Sequence, residues 1–333
     1  MNIKGRDSKT YLVTGVGGFI GFHVAKRLLD DGLPIVGYDN LNDYYQVELK
    51  EDRLKQLREY ANFVFVHADL TDREALEEIF HKHAPSVVIH LAAQAGVRYS
   101  LENPMAYVNA NLVGFVNILE CCRHYKVEHL LYSSSSSVYG ANEKQPFSTE
   151  DRTDHPVSLY AATKKSNELL AHSYSYTFNL VTTGMRFFTV YGPWGRPDMA
   201  PFLFLDAILK GAPIKVFNNG KMMRDFTYID DVTESIVRLI NRSASKATTA
   251  GDTPYKVYNI GNNKPEKLLD FINILESHVG KTTEKIFMPM QPGDVVTTFA
   301  EIDDLVNDID FSPIVQLNEG LEKFVKWWND YYV

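Results

Sequence analysis

The chain has 333 residues, 45% of them hydrophobic, with a formal net charge of −8 and a pI near 5.7. That is ample apolar material for one large α/β domain, or two that share a core, and the acidic balance without a basic stripe argues against a nucleic-acid surface. The only cysteines, Cys121 and Cys122, are adjacent, so no disulfide framework is expected and they read as core hydrophobes in a reducing, cytoplasmic compartment.

Residues Met1–Ser8 are short and polar and carry no apolar signal segment, and no apolar run reads as long enough to span a bilayer. Tyr11-Leu12-Val13-Thr14 then reads as a buried strand. It leads into Gly15-Val16-Gly17-Gly18-Phe19-Ile20-Gly21, with glycines spaced G-x-x-G-x-x-G at Gly15, Gly18 and Gly21. Side chains are absent where a pyrophosphate would approach the backbone, and the following helix offers unpaired N–H groups and the positive end of its dipole. That helix, Gly18–Asp30, carries Phe19, Ile20, Val24, Leu28 and Leu29 as its apolar set. A second strand, Pro34–Tyr38, ends at Asp39-Asn40, about 20 residues past the glycine turn, where a dinucleotide-binding acid is expected. An Asp there accepts from a ribose 2′-hydroxyl and repels a 2′-phosphate, which favours NAD over NADP.

The polar segment Leu41–Tyr60 contains a helix. Phe63–Val66 is a third strand closed by Asp69-Leu70, and Thr71 or Asp72 caps a helix to about His83. Ser86–His90 is the fourth strand, followed by the small residues Leu91-Ala92-Ala93-Gln94, which permit close approach of a ligand. Strands alternating with helices at this spacing predict a Rossmann-type, doubly wound parallel sheet. Residues Pro104–Tyr125 read as one long helix, apolar on more than one side, which is either deeply buried or part of a subunit interface. A fifth strand, Leu130–Tyr132, runs directly into Ser133-Ser134-Ser135-Ser136-Ser137-Val138-Tyr139-Gly140. The serine run therefore lies where the fold puts an active site, outside the strands' carboxyl ends. Tyr160 and Lys164 follow, four apart on one helix face. A cation beside a phenol is expected to lower its pKa from about 10 towards neutral and make it a proton-transfer group.

Later, Val181–Met185 is a sixth strand and Trp194–Asp198 a loop too specific for a linker. Thr227–Asp231 starts a helix to about Ile240, Arg242–Thr253 reads as a mobile surface loop, and Val257–Gly261 is another strand. The aromatic Leu321–Tyr332 reads as core packing. The histidines are scattered, and no Cys/His cluster has metal-ligand spacing.

Taken together, Gly15-x-x-Gly18-x-x-Gly21, Asp39-Asn40, Asp69-Leu70, Leu91-Ala92-Ala93, Ser135–Tyr139, Tyr160-x-x-x-Lys164 and Arg224-Asp225-Phe226 resemble the extended short-chain dehydrogenase/reductases, and within them the nucleotide-sugar 4-epimerases. The stretches Gln94–Ser100 and Arg186–Met199 resemble the UDP-glucuronate 4-epimerase branch. The resemblance implies a Rossmann domain over residues 1–183 plus roughly 226–262, and a UDP-sugar domain over roughly 184–225 and 263–333. It implies NAD held by Gly15, Gly18, Phe19, Ile20, Gly21, Asp39, Asn40, Asp69, Leu70, Leu91, Ala92, Ala93, Tyr160 and Lys164. It makes Tyr160 the base, Lys164 its tuning partner and Ser135 the bridging hydroxyl. On the substrate side it implies Arg224 at the pyrophosphate and Asp294 near the uridine ribose. Its habit is a homodimer across Pro104–Tyr125 and Leu159–Tyr176.

UDP-galactose 4-epimerases usually carry an Asn where this chain has Thr189, which weakens a plain galactose reading. For a sugar acid, Ser136, Ser137, Thr189 and Arg196 are the candidates to hold the carboxylate, with Arg98 a rival for either the acid or the pyrophosphate. The rival readings are a UDP-glucose or UDP-N-acetylglucosamine 4-epimerase, a 4,6-dehydratase or decarboxylase of the same fold, and an NAD-sensing scaffold. The dehydratase is disfavoured because Ser136-Ser137 stand where it needs an acid.

Overall fold

The computed structural model describes residues 9–242, 253–290 and 296–333. The chain lays down β1 (Tyr11–Thr14), β2 (Ile35–Asp39), β3 (Phe63–His67), β4 (Val87–His90), β5 (His129–Ser135) and β6 (Thr182–Phe187). It then leaves that sheet for β7 (Thr189–Tyr191), β8 (Ile214–Val216) and β9 (Met223–Tyr228), and returns as β10 (Tyr255–Ile260). The large sheet has seven strands in the order β10-β6-β5-β4-β1-β2-β3, all parallel. Its switch point lies between β1 and β4, where ligands of doubly wound sheets bind.

Period-two alternation explains why both faces are covered. Tyr11 and Val13 of β1 enter one core, and Leu12 enters the other. Helices α1 (Phe19–Asp30) and α2 (Val47–Leu57) serve the first core, and α3 (Arg73–His83) the second. Asp72 caps α3 by accepting from the Ala75 N–H.

The long helix expected over Pro104–Tyr125 is interrupted. After a short α4 (Tyr99–Glu102), α5 (Pro104–Tyr107) passes through a π-helical segment, Val108–Val113, into α6 (Gly114–His124). The wide turn brings in Asn111, a polar residue the apolar pattern hid. Among the described residues, this Pro104–His124 run is long and apolar enough to cross a membrane by length and composition, contrary to the expectation of no such run, and 44% of its window is buried in the protein. Cys121 and Cys122 are buried thiols in α6, as expected.

Helix α7 (Leu159–Phe178), capped by Ser158, packs on β5. The remaining helices are α8 (Ala200–Lys210), α9 (Ile229–Arg242), α10 (Leu268–Val279), α11 (Asp303–Ile309) and α12 (Leu317–Tyr332). The short strands β11 (Pro265–Lys267), β12 (Lys285–Phe287) and β13 (Thr297–Thr298) complete the chain. Strands β11, β9, β13 and β7 form a second sheet, and β12 pairs with β8. Asp225, fully buried in β9, accepts from the backbone N–H groups of Asn262, Asn263 and Ala300, and burial pushes its carboxyl up to about 6. Helix α12 buries Phe324, Trp327 and Trp328 against Phe202, so the aromatic stretch is core packing, as expected. The Arg242–Thr253 loop falls almost wholly outside the described residues.

Candidate active site

One cleft of about 540 Å³ runs along the carboxyl ends of the large sheet's strands. Gly15, Gly18, Phe19, Ile20 and Gly21 form one end of it. Gly15 has φ +73°, and a Cβ there would stand 2.6 Å from the Ala92 nitrogen. One on Gly21 would lie 2.0 Å from the Gly15 oxygen. Helix α1 has no side-chain cap at Gly18, so its first-turn N–H groups remain for a ligand. These features fit a dinucleotide pyrophosphate.

Asp39 and Asn40 line the same end. Asp39 accepts from the Gly17 N–H at 2.9 Å and the Leu41 N–H at 2.8 Å, which aims the carboxylate across the turn and leaves each oxygen a further lone pair. Asn40 donates to Asp69 at 2.5 Å. Asp69 also accepts from Thr71, and with Leu70 it forms the next part of the wall. Leu91, Ala92 and Ala93 lie across from the glycines. They are held by residues the sequence reading passed over. Thr14 accepts from the Ala92 N–H at 3.2 Å and meets His90 Nδ1 at 2.8 Å. Burial next to Lys164 pushes His90 down to about 3 and keeps it neutral. Asn111, from the π-turn, donates to the Gln94 carbonyl and to Thr163 of α7. For Thr14 and His90 the available signal was a polar residue closing an apolar strand; Asn111 had none.

At the other end, Ser135, Tyr160 and Lys164 line the cleft together. The Tyr160–Lys164 pairing is a correction. Lys164 donates to the Ser133 carbonyl at 2.8 Å and to the Ser133 hydroxyl at 2.9 Å, so two of its three N–H donors go to the end of β5 and not to the phenol. Its burial pushes it down to about 7. Burial raises the Tyr160 phenol above its ordinary value. The Ser135 hydroxyl, and then Arg196, pull it back, and Lys164 is not among the influences. Ser135 also accepts from the Ser137 N–H at 3.2 Å, which closes a turn after the strand. Ser134 points elsewhere: it donates to Glu168, which holds Arg186 through two bonds at 2.8 and 2.9 Å.

Ser136, Ser137, Thr189, Arg196 and Arg224 all line the cleft. Arg224 donates to the Met223 and Val296 carbonyls as well. Arg98 is not in the wall: it is exposed and stacks over Phe217, with 5.0 Å from its guanidinium carbon to the ring centroid. Asp294 lies outside the described residues. The loop bearing Arg196 is anchored by side chains that sequence spacing did not single out. Arg53, fully buried in α2, donates to the Gly17 carbonyl at 2.7 Å and to those of Trp194 and Gly195 at 2.7 and 3.2 Å. His23 meets the Pro193 carbonyl at 2.9 Å. Lys50 and Arg53 of α2 are both buried, which their place in a charged stretch does not announce.

A doubly wound sheet, a glycine turn at its switch point and a tyrosine beside a serine-ended strand define a dinucleotide-dependent enzyme acting on a hydroxyl-bearing substrate. The family model described as NAD dependent epimerase/dehydratase matches residues 11–261, and the chain belongs to that family. A probable UDP-glucuronate 4-epimerase of Rhizobium meliloti is 52% identical over 97% of this chain and 97% of its own. The UDP-glucuronic acid 4-epimerase of Bacillus cereus, solved with UDP-glucuronic acid and NAD, is 34% identical with a TM-score of 0.89, covering 97% of this chain and all of that one. The UDP-glucose 4-epimerase of Thermotoga maritima, solved with UDP-glucose, is 29% identical with a TM-score of 0.86, covering 96% and 99%.

Proposed function

We propose that the protein converts UDP-glucuronate to UDP-galacturonate by inversion at C4, with NAD held in the glycine-turn end of the cleft. The observation that carries the reading is one wall holding both Ser135–Tyr160 and the set Ser136, Ser137, Thr189 and Arg196, hydroxyls and one cation suited to a carboxylate. NAD, when bound, supplies reversible oxidation at C4. The chain's own groups do the rest. Tyr160 takes the O4 proton through its contact with Ser135 and returns it once the sugar has turned over. Lys164 fixes the end of β5 and faces the ribose side. Asp39 accepts from the adenosine ribose, and Arg224 meets the UDP pyrophosphate.

We assign residues 1–183 and roughly 226–262 to the cofactor, and roughly 184–225 and 263–333 to the UDP-sugar. A UDP-glucose reading does not account for Arg196. A dehydratase would need an acid beside Ser135, and among the described residues of the wall the only carboxylates, Asp39 and Asp69, are those at the ends of β2 and β3. Two buried, unpaired thiols support a reducing, cytoplasmic setting. A second copy of the chain is the partner we infer for the long helices, where Met105, Val113, Leu169 and Tyr176 are exposed apolar side chains. A monomer by sedimentation at micromolar concentration would remove that partner. The enzymatic test is direct: purified protein given UDP-glucuronate should yield UDP-galacturonate with no net build-up of NADH, and absence of that product overturns the reading.

A further inference from the structure

We infer that Asp198 and Tyr44 are positioning residues that aim Arg196 at the acid group of the sugar. This rests on the uronate reading above. Arg196 gives its Nε to Asp198 Oδ1 at 3.0 Å and its Nη2 to Asp198 Oδ2. Two parallel bonds fix the plane of a guanidinium as well as its place. Among the described residues, Nη1 has no protein acceptor, so that nitrogen is left to meet a ligand in the cleft that Arg196 lines.

The Asp198 carboxylate is itself fixed. The Tyr44 hydroxyl donates to Oδ2 at 3.1 Å, and the Tyr44 ring lies beside the guanidinium, 6.0 Å from ring centroid to guanidinium carbon. Burial works to raise the Asp198 carboxyl, but Arg196 outweighs it and keeps the group ionised. Tyr44 is braced in turn, 4.8 Å from Tyr99, in a row that continues through Tyr107 to Tyr160 at 6.2 and 6.0 Å. The arrangement that orients the cation thus rests on the same aromatic row as the proposed base.

Aim matters more than charge for this substrate. In a 4-keto uronate, whose C4 hydride has passed to NAD, the C5–C6 bond can break, its electron pair passing into the C4 carbonyl as an enolate, CO2 leaving and a solvent proton arriving at C5; one NADH is then left behind for each ketone released. That loss is fast when the bond stands perpendicular to the carbonyl plane. A loosely held cation would still attract the carboxylate, but it would not hold the bond near the plane.

The test compares Asp198→Asn, Tyr44→Phe and Arg196→Ala with the parent, all with bound NAD and UDP-glucuronate. It reads KM, kcat, UDP-glucuronate affinity by calorimetry, and UDP products by mass. Asp198→Asn should raise the share of decarboxylated UDP-4-keto-pentose roughly tenfold while KM and affinity stay within about threefold, with Tyr44→Phe moving the same way by less. A merely structural role would lower affinity and turnover together with no rise in that product, and this result overturns the inference. So do parental product ratios in both variants beside a leaking Arg196→Ala. If Asp198→Asn does not fold, Tyr44→Phe, which keeps its ring, decides alone. A parent that makes no UDP-galacturonate sinks both readings, whereas an active parent with tight variants sinks only this one.

Discussion

The two halves of the cleft wall are held in place by different means. Ser135, Tyr160 and Lys164 sit on β5 and α7, regular elements locked by strand register and by the Glu168–Arg186 pair. Arg196 sits on a loop held mainly by side chains from distant elements: His23 on α1, Arg53 on α2, and Tyr44. The first arrangement is fixed by secondary structure. The second depends on contacts between segments more than 100 residues apart in the chain. In the proposed reaction the base sits on the rigid wall and the cation on the assembled one.

Variants can break that contrast. The largest effect should come from Tyr160→Phe, which removes only the transferable proton. Turnover should fall by roughly a thousandfold, the scale of general acid–base catalysis, while melting and bound NAD stay parental. Near-parental epimerisation would take the base role away from Tyr160. On the recognition side, Thr189→Ala on β7 or Arg196→Ala on the loop should lower epimerisation by about ten- to a hundredfold and release decarboxylated UDP-4-keto-pentose. Loss of activity in both, with normal substrate binding and no such product, would place the carboxylate grip elsewhere.

At the cofactor end, Asp39→Ala should narrow the preference for NAD over NADP by about tenfold, because carboxylate–phosphate repulsion disappears. Equal binding of the two cofactors by the parent would show that Asp39 does not read the ribose. The smallest effect is a pH dependence of stability. The Lys164 pKa is lowered to about 7 in the folded chain from an ordinary 10.5. Between those values the unfolded chain binds the extra proton, so this group makes stability rise with pH across that window. The parent's melting temperature should therefore gain on that of Lys164→Met between pH 7 and 9. Parallel curves would mean that the ammonium stays solvated.

What could be read in the sequence follows the same contrast. Periodicity found the strands of the large sheet, and local spacing found the glycine turn, Asp39, the serine-ended strand and Tyr160, because these depend on neighbours a few residues away. The strand ends were less sharp: β6 runs to Phe187 rather than Met185, since its last residues pair with β5 and β10. Spacing also brought Lys164 to the right face of α7, but it could not say that the ammonium would turn to Ser133 instead of the phenol. The π-turn that seats Asn111 left no break in an apolar pattern. Arg53 and Tyr44 meet their partners only once the 44–57 segment and the 192–199 loop are folded against each other, and nothing local announces those contacts.

The serine run poses a problem of addressing. Five identical side chains carry no chemical label, and a shift of one residue in a strand turns every side chain to the opposite face. Here Ser134 stands opposite Arg186 in the β5–β6 ladder, and both bond to the same Glu168. That three-way lock chooses which hydroxyl becomes the neighbour of Tyr160. Ser134→Ala and Ser135→Ala, adjacent and chemically the same exchange, should therefore fail different assays: the first in melting, the second in turnover. The serine beside Tyr160 is selected by its place in the sheet, and its own identity contributes nothing to the choice.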